Sequence, residues 1–250
     1  MERPESKGDV LDPAEATAYR ALAARANYLA RDRRDIAYAT KDLCRGFSRP
    51  TKESYDKMKR VGGYLAGNHR LAFNFKCVDK VPTFIDIYRD TDFAGCQSTR
   101  RSTTGGVAMI GSHIVKHWSN TRTTVSLSSG EAESHGICAG VAQGLGLQRV
   151  FKDLGFDCKL KVFSDATAAI GIARRRGMGK IRHLDCSDLW VKEKIRNQQV
   201  SLHKVLGIEN PADAFTKYVN QDILHKTMNT IGMKRLKGMP ARAPDTLGIS

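Results

Sequence analysis

The residues in this chain with the most chemistry in them are carboxylates placed at the ends of apolar runs. A hard divalent cation needs several oxygen ligands close together and negative enough to hold it. Asp90-Thr91-Asp92 closes a β-like run, although Asp-x-Asp alone is equally well read as a solvated turn. Glu131 and Glu133 stand in Ser128-Ser129-Gly130-Glu131-Ala132-Glu133. Ser128 and Glu131 have the spacing of a capping box, which gives Glu131 a structural task. Glu133 lies about 200° further round the same helix. It shares a face with Ile137, Val141 and Leu145, the stripe expected to pack on a sheet. An acid there is costly unless it is paired or bound to a metal.

Asp165 directly follows Lys161-Val162-Phe163-Ser164. The carboxyl end of a strand is where ligands gather in open α/β sheets, but the position also suits a helix N-cap. Asp213 follows Asn210-Pro211-Ala212. With Asn210 as cap it is the third residue of a helix, where the helix dipole alone would account for it. Asp185 and Asp188 open the preceding helix and have the same bland account.

These acids need elements to bring them together. Residues 1–17 are polar, carry Pro4 and Pro13, and are expected to be a flexible lead-in. Tyr19, Leu22, Ala26 and Leu29 recur at helical steps from Ala18 onward, and a second helix is expected around Ile36, Ala39 and Leu43. Lys52–Ala66 is predicted as a third, with Tyr55, Met58, Val61 and Leu65 inward. The pattern then changes. Thr83–Asp90, Gly105–Ile110 and His113–Trp118 are predicted strands, the last two joined by a Gly111–Ser112 hairpin. Ser128–Phe151 is a long predicted helix weakened by Gly136, Gly140, Gly144 and Gly146. A strand at Leu160–Ser164, helices at Ala166–Arg175 and Asp185–Asn197, a strand at Val200–Leu206 and a helix from Asn210–Pro211 complete the order β-β-β-α-β-α-α-β-α.

The 250 residues are 41% hydrophobic and 27% charged, ordinary for a globular protein. The charge balance is not ordinary. Forty-one Lys and Arg against 26 Asp and Glu give +15, which favours polyanions, nucleic acid first. Aromatic residues are only 7%, so stacking platforms for single strands find little support. Arg174-Arg175-Arg176 with Arg182, and the pair Arg100-Arg101, are candidate phosphate contacts, although a basic run is as readily a solvated face. No apolar run approaches the roughly 18 residues of a membrane helix. Met1–Glu5 lacks the start of a secretory signal, so an intracellular chain without membrane contact is expected. The six cysteines are too far apart for a zinc ribbon or a redox pair and are expected to be reduced.

The motifs in order resemble the ribonuclease H domain of copia-type LTR retrotransposon Pol polyproteins. They are Asp90-Thr-Asp-Phe-Ala-Gly95, Arg101-Ser-Thr-Thr-Gly-Gly106, Thr124-Val-Ser-Leu-Ser-Ser-Gly-Glu-Ala-Glu133, Phe163-Ser-Asp-Ala-Thr-Ala-Ala-Ile170, Arg182-His-Leu-Asp185 and Pro211-Ala-Asp-Ala-Phe-Thr-Lys217. Upstream, Tyr19-Arg-Ala-Leu22, Asn27-Tyr-Leu29 and Arg34-Asp-Ile-Ala-Tyr38 are similar to the helical end of the reverse transcriptase that precedes it. The polymerase motif Tyr-x-Asp-Asp is absent.

The resemblance implies a ribonuclease H-like α/β fold: a mixed five-stranded sheet flanked by helices and preceded by a small helical unit. Its layout would be a lead-in at 1–17, the reverse-transcriptase end at 18–76, the ribonuclease H-like domain at 83–219, and a C-terminal helix and basic tail at 220–250. It also implies an endonuclease that cuts the RNA strand of RNA–DNA hybrids with two Mg²⁺ ions, Mn²⁺ being able to substitute. The polymerase part of the same polyprotein would be a partner. Asp90, Glu133, Asp165 and Asp213 carry over as catalytic metal ligands, with Asp185 the alternative fourth. The family more often has Trp at Phe93 and Tyr at Ser134, which bears on packing. His203 and His183 receive no role. The rival reading is an inactive remnant that binds nucleic acid without cutting it. A transposase or integrase ends its acids on a late helical Glu, whereas here Glu133 comes second.

Overall fold

A computed structural model of the chain describes residues 9–77, 83–96, 99–175 and 186–236. Arg176, Arg182, His183 and Asp185 lie outside the described residues. The first helix, α1 (Pro13–Leu29), begins earlier than Ala18, inside the expected lead-in. Asp12 caps it, accepting from the Glu15 N–H at 2.8 Å, with Pro13 in the first turn, where a missing N–H costs nothing. Helices α2 (Ala37–Arg45) and α3 (Lys52–Gly67) follow. Their apolar faces close on Tyr19, Ala23, Ile36 and Leu43 in a core of their own.

Two short strands, β1 (Leu71–Phe73) in the first third of the chain and β7 (Met233–Arg235) much later in it, pair antiparallel. The main sheet contains β2 (Phe84–Asp92), β3 (Thr103–Ile110), β4 (His113–Thr121), β5 (Lys159–Ser164) and β6 (Val200–Lys204), ordered β4-β3-β2-β5-β6. The β2–β3 and β3–β4 pairs are antiparallel, while β2–β5 and β5–β6 are parallel. This is the mixed sheet that the resemblance implies, and the expected fold class stands. Gly111 has φ +58 in the tight turn between β3 and β4, a conformation that favours glycine.

Along β2 the side chains alternate between two layers. Ile85 and Ile87 face a core shared with helices α4 (Ser129–Asp153), α5 (Thr167–Arg174) and α6 (Cys186–Arg196). Tyr88 faces a second core with Val107, Met109, Phe215 and Met228, covered by a 3₁₀ turn at Pro211–Phe215 and helix α7 (Gln221–Thr230). The regular helix expected after Asn210 is therefore this short turn, and the longer helix starts at Gln221. Ser134, on α4, donates a hydrogen bond to Asp188 of α6 and links the two helices.

The glycines that weaken α4 as an isolated helix are what let it lie against β2. A Cβ on Gly136 would run into Thr91 Oγ1 and stand 2.6 Å from Arg89 Nη1. One on Gly144 would meet Leu160 Cδ1 at 2.5 Å and Leu160 Cδ2 at 2.8 Å. Gly146, about 200° round the helix from Gly144, has nothing within 4 Å. Two substitutions in one helix should therefore have opposite signs. Gly146→Ala gains helix propensity and should stabilise by up to about 1 kcal/mol. Gly136→Ala gains the same propensity but overpacks the buried Thr91 and Arg89 side chains, for a net loss of about 1–2 kcal/mol. Thermal melting of the two variants checks this, and a shift of equal sign for both would refute the close-approach account.

Candidate metal centre

Asp90 sits near the end of β2, and Asp165 directly follows β5 on the neighbouring parallel strand. Parallel pairing puts both carboxylates at the same edge of the sheet. Glu133, in the opening turns of α4, reaches that edge from above. One oxygen from each of Asp90, Glu133 and Asp165 lies within 4.8 Å of the others. The helix phase that separated Glu133 from Glu131 holds. Glu131 closes the cap: its N–H donates to Ser128 Oγ at 3.1 Å and its Oε2 accepts from the Leu127 N–H at 2.8 Å.

The bland readings of the other acids fare differently. Asp90 is in no solvated turn, being only 5% exposed inside the strand, with its Oδ2 accepting from the Thr216 hydroxyl. Asp165 does not cap α5: the Ala166 N–H donates to Ser164 Oγ instead, at 3.1 Å, and Asp165 Oδ1 is buried without a hydrogen-bond partner. A buried carboxylate oxygen without a donor is an acceptor that a cation would satisfy. Asp213 Oδ1 is buried and unpartnered in the same way.

Asp213 arrives from the opposite layer through the 3₁₀ turn. Asn210 anchors that turn twice: its Oδ1 accepts from the Ala212 N–H at 3.2 Å, and its Nδ2 donates to the Arg89 carbonyl on β2 at 3.0 Å. Gly105, the β3 partner of Asp90, clears the way. A Cβ there would stand 2.9 Å from the Phe215 backbone. Asp213 lies outside the three-carboxylate cluster but feels it. Burial first, and then the charges of Asp90 and Asp165, push its carboxyl above the ordinary value despite a hydrogen bond from Lys217. Asp92 is raised too, by burial and then by Asp90.

Two cations of the site escaped the sequence reading. Lys217 Nζ pairs with Asp213 Oδ2 at 2.9 Å. Burial works against its charge, but the hydrogen bond to Asp213 and the charges of Asp90, Asp213 and Asp165 raise its value overall. An acid and a lysine at i and i+4 are a readable spacing. Arg89, 1% exposed, lies on the α4 side of β2. Its Nη1 donates to the Glu133 carbonyl at 2.7 Å, and its Nη2 pairs with the Glu133 carboxylate. Burial lowers its value to about 10, against the pull of Asp90 and Asp165. The paired-glutamate reading of Glu133 is thus part of the truth. Nearby, Lys41 Nζ donates to Thr103 Oγ1 at 2.6 Å and Arg45 reaches Thr103 and Thr121, so α2 adds positive charge at the strand ends.

Of the expected phosphate contacts, Arg100 and Arg101 are exposed after the β2 end, and Arg175 is exposed at the end of α5. Arg174 directs Nη2 at the Leu202 carbonyl. His203 is in β6, its ring against Phe163 with centroids 5.3 Å apart.

The chain is 27% identical over 203 residues to the retrovirus-related Pol polyprotein from transposon TNT 1-94 of Nicotiana tabacum, covering 80% of this chain and 15% of the polyprotein. It is 35% identical over 127 residues to an uncharacterized mitochondrial protein of Arabidopsis thaliana, 50% of this chain and 51% of that one. The chain thus spans about half, or much less, of the length of the curated relatives it matches. Its relatives include retrovirus-related Pol polyproteins of transposons. Among solved structures, the N-terminal RNase H domain of a Mycobacterium tuberculosis protein aligns with a TM-score of 0.38 at 16% identity, over 60% of this chain and 99% of that one. No family model matches.

The raised Asp213 value has a consequence for stability. A carboxyl whose folded value exceeds its unfolded one contributes stability that is fully present below the unfolded value and is lost as pH rises through the folded one. In metal-free buffer, melting temperature should therefore climb as pH falls from neutral toward Asp213's elevated range. Asp213→Asn should flatten that climb and raise the melting temperature at neutral pH. An unaltered profile in the variant would show that another group carries the effect.

Proposed function

We propose that this chain hydrolyses the RNA strand of RNA–DNA hybrids at the edge where Asp90, Glu133 and Asp165 meet, with Asp213 beside them. The observation that supports it most is the convergence of three carboxylate oxygens within 4.8 Å, from two strands and a helix. The donor set is all hard oxygen, which suits Mg²⁺ or Mn²⁺ and not a thiophilic ion. Bare oxygens on Asp165 and Asp213 fit it further. The relatives include retrovirus-related Pol polyproteins of transposons, the kind of polyprotein whose ribonuclease H domain the motifs resemble.

Divalent cations bound here would polarise a phosphodiester and stabilise the charge that develops on its oxygens, with two ions the fullest form of that chemistry. The chain's own side chains do the positioning. The Thr216 hydroxyl fixes one oxygen of Asp90 and leaves the other for an ion. Asp213, on the outer side, is free at Oδ1 and held at Oδ2 by Lys217. Arg100, Arg101 and Arg175, with Arg176 and Arg182, would meet phosphates along the hybrid, while its 2′-hydroxyls and groove shape would give the selectivity for RNA. One observation favours the rival, a remnant that binds and does not cut. Two of the four carboxylates already have resident cationic partners, Arg89 and Lys217.

The two readings part in one assay. Purified chain with labelled hybrid should release RNA fragments in Mg²⁺ or Mn²⁺, leave duplex DNA intact, and stop in excess EDTA. Glu133→Gln removes a ligand charge, and its rate should fall about 100-fold or more, the upper end of what supporting residues around a metal show. Glu131→Gln can still close its capping box and should cut at close to the parental rate, with a stability loss under about 1 kcal/mol. A dead Glu131→Gln beside an active Glu133→Gln would move the site; folded protein inert in every metal would leave the remnant.

For binding, Arg100→Ala and Arg101→Ala should each weaken hybrid affinity regardless of sequence. Each should also flatten the plot of log K against log salt by about 0.7–0.9 per lost contact. An unchanged slope would make these arginines plain solvated surface.

A further inference from the structure

Arg89 is a group at the centre that hydrolysis does not call for, and among the described residues it is the most deeply buried charge there. A guanidinium 1% exposed inside the β2–α4 layer is costly unless its charge is met. Here it is met by one residue twice, through the carbonyl of Glu133 and through its carboxylate. The space it occupies exists because residue 136 has no side chain. Its own carbonyl accepts from Asn210, which carries the 3₁₀ turn and with it Asp213. The same residue therefore touches the element behind Glu133 and the element behind Asp213. Arg89 thus pairs with the Glu133 carboxylate at Oε2, while an oxygen of the same carboxylate lies within 4.8 Å of oxygens of Asp90 and Asp165.

Without a metal, four carboxylates crowd one partly buried edge and repel each other. Lys217 offsets that from the solvent side, 47% exposed and so weakened by water. Arg89 offsets it from within, where screening is least.

We propose that Arg89 is a resident cation of the metal centre, a positioning residue that holds the Glu133 carboxylate at the cluster. It holds the carboxylates together before any divalent ion arrives, at the cost of weaker ion binding. The inference rests on the metal-binding reading of these carboxylates.

The test is Mn²⁺ binding to the free protein, followed by electron paramagnetic resonance, with thermal melting in EDTA and in Mg²⁺. The proteins are the parent, Arg89→Met, and Arg89→Met combined with Glu133→Gln. Arg89→Met should melt lower than the parent in EDTA, gain more from Mg²⁺, and bind Mn²⁺ about tenfold more tightly, since a fixed positive charge near the ion is gone. Adding Glu133→Gln should restore part of the melting temperature lost in EDTA, because the carboxylate left unpaired is removed. If Arg89→Met does not fold in EDTA, saturating Mg²⁺ should restore folding, and Arg89→Lys, which keeps the charge, should fold without metal. Mn²⁺ affinity unchanged or weaker in Arg89→Met overturns the role of Arg89 while sparing the metal reading. So does a melting loss of the same size in EDTA and in Mg²⁺. A parent that binds no Mn²⁺ at all overturns both.

Discussion

Everything at the candidate site depends on how closely α4 can lie on β2. Helices normally stand off a sheet by the length of their side chains, and here three positions on the contact face have none, Gly136, Gly140 and Gly144. The helix gives up propensity at each of them, about 1 kcal/mol per glycine relative to alanine. It recovers that through the apolar layer of Ile87, Ile137, Val141 and Leu160. The close approach lowers Glu133 to the level of the strand ends, where a helix one side chain further out would leave it in solvent. It also defines the slot that a guanidinium fills. Packing and chemistry are thus one constraint in this region.

The opposite layer repeats the device with different parts. Gly105 lets the Phe215 backbone press on β3, and Asn210 ties the same turn to the Arg89 carbonyl. A turn held at both ends carries Asp213 and Thr216 to Asp90 from beneath. Four acids then come from four segments distant in sequence, and the side-chain partners of three of them, Thr216 for Asp90, Arg89 for Glu133 and Lys217 for Asp213, are not acids. This is why their mutual repulsion can be tolerated: the scaffold, and not the carboxylates, decides where they stand.

How much of this could be read from the sequence follows from where each signal resides. Glu133 was legible because it interrupts an apolar stripe, and Asp165 because a strand ends on it; both are local patterns. The capping role of Glu131 was legible from its spacing to Ser128. Arg89 was not, because Tyr88-Arg89-Asp90 reads as the polar end of a strand and its burial is decided by a glycine far along the chain. The β1–β7 pair was missed for the same reason, two three-residue strands being too short to show a period. Asp12-Pro13 was readable as a helix start, yet the polar composition around it argued for a lead-in. Asp213 was placed correctly as an acid following the Asn210 cap, but the turn that carries it is too short for a helix dipole to matter, and its partner is Lys217.

The charges of the chain act on two length scales that should be kept apart. The excess of +15 is a property of the whole surface and acts through water, where salt screens it within about 10 Å. It can gather a polyanion but says nothing about where one is held. At the site itself carboxylates dominate, Asp90, Glu133, Asp165 and Asp213 with Asp92 beside them, while Arg89 and Lys217 pair with two of them and Lys41 and Arg45 stand further along the strand ends. A phosphate drawn in by the surface would be repelled from that edge unless something positive stood between. The negative edge inside a positive chain is therefore itself an argument for a cation at the centre. Arg89 cannot be that bridge: it lies behind Glu133, buried in the layer, with its Nη1 and Nη2 both committed to that residue.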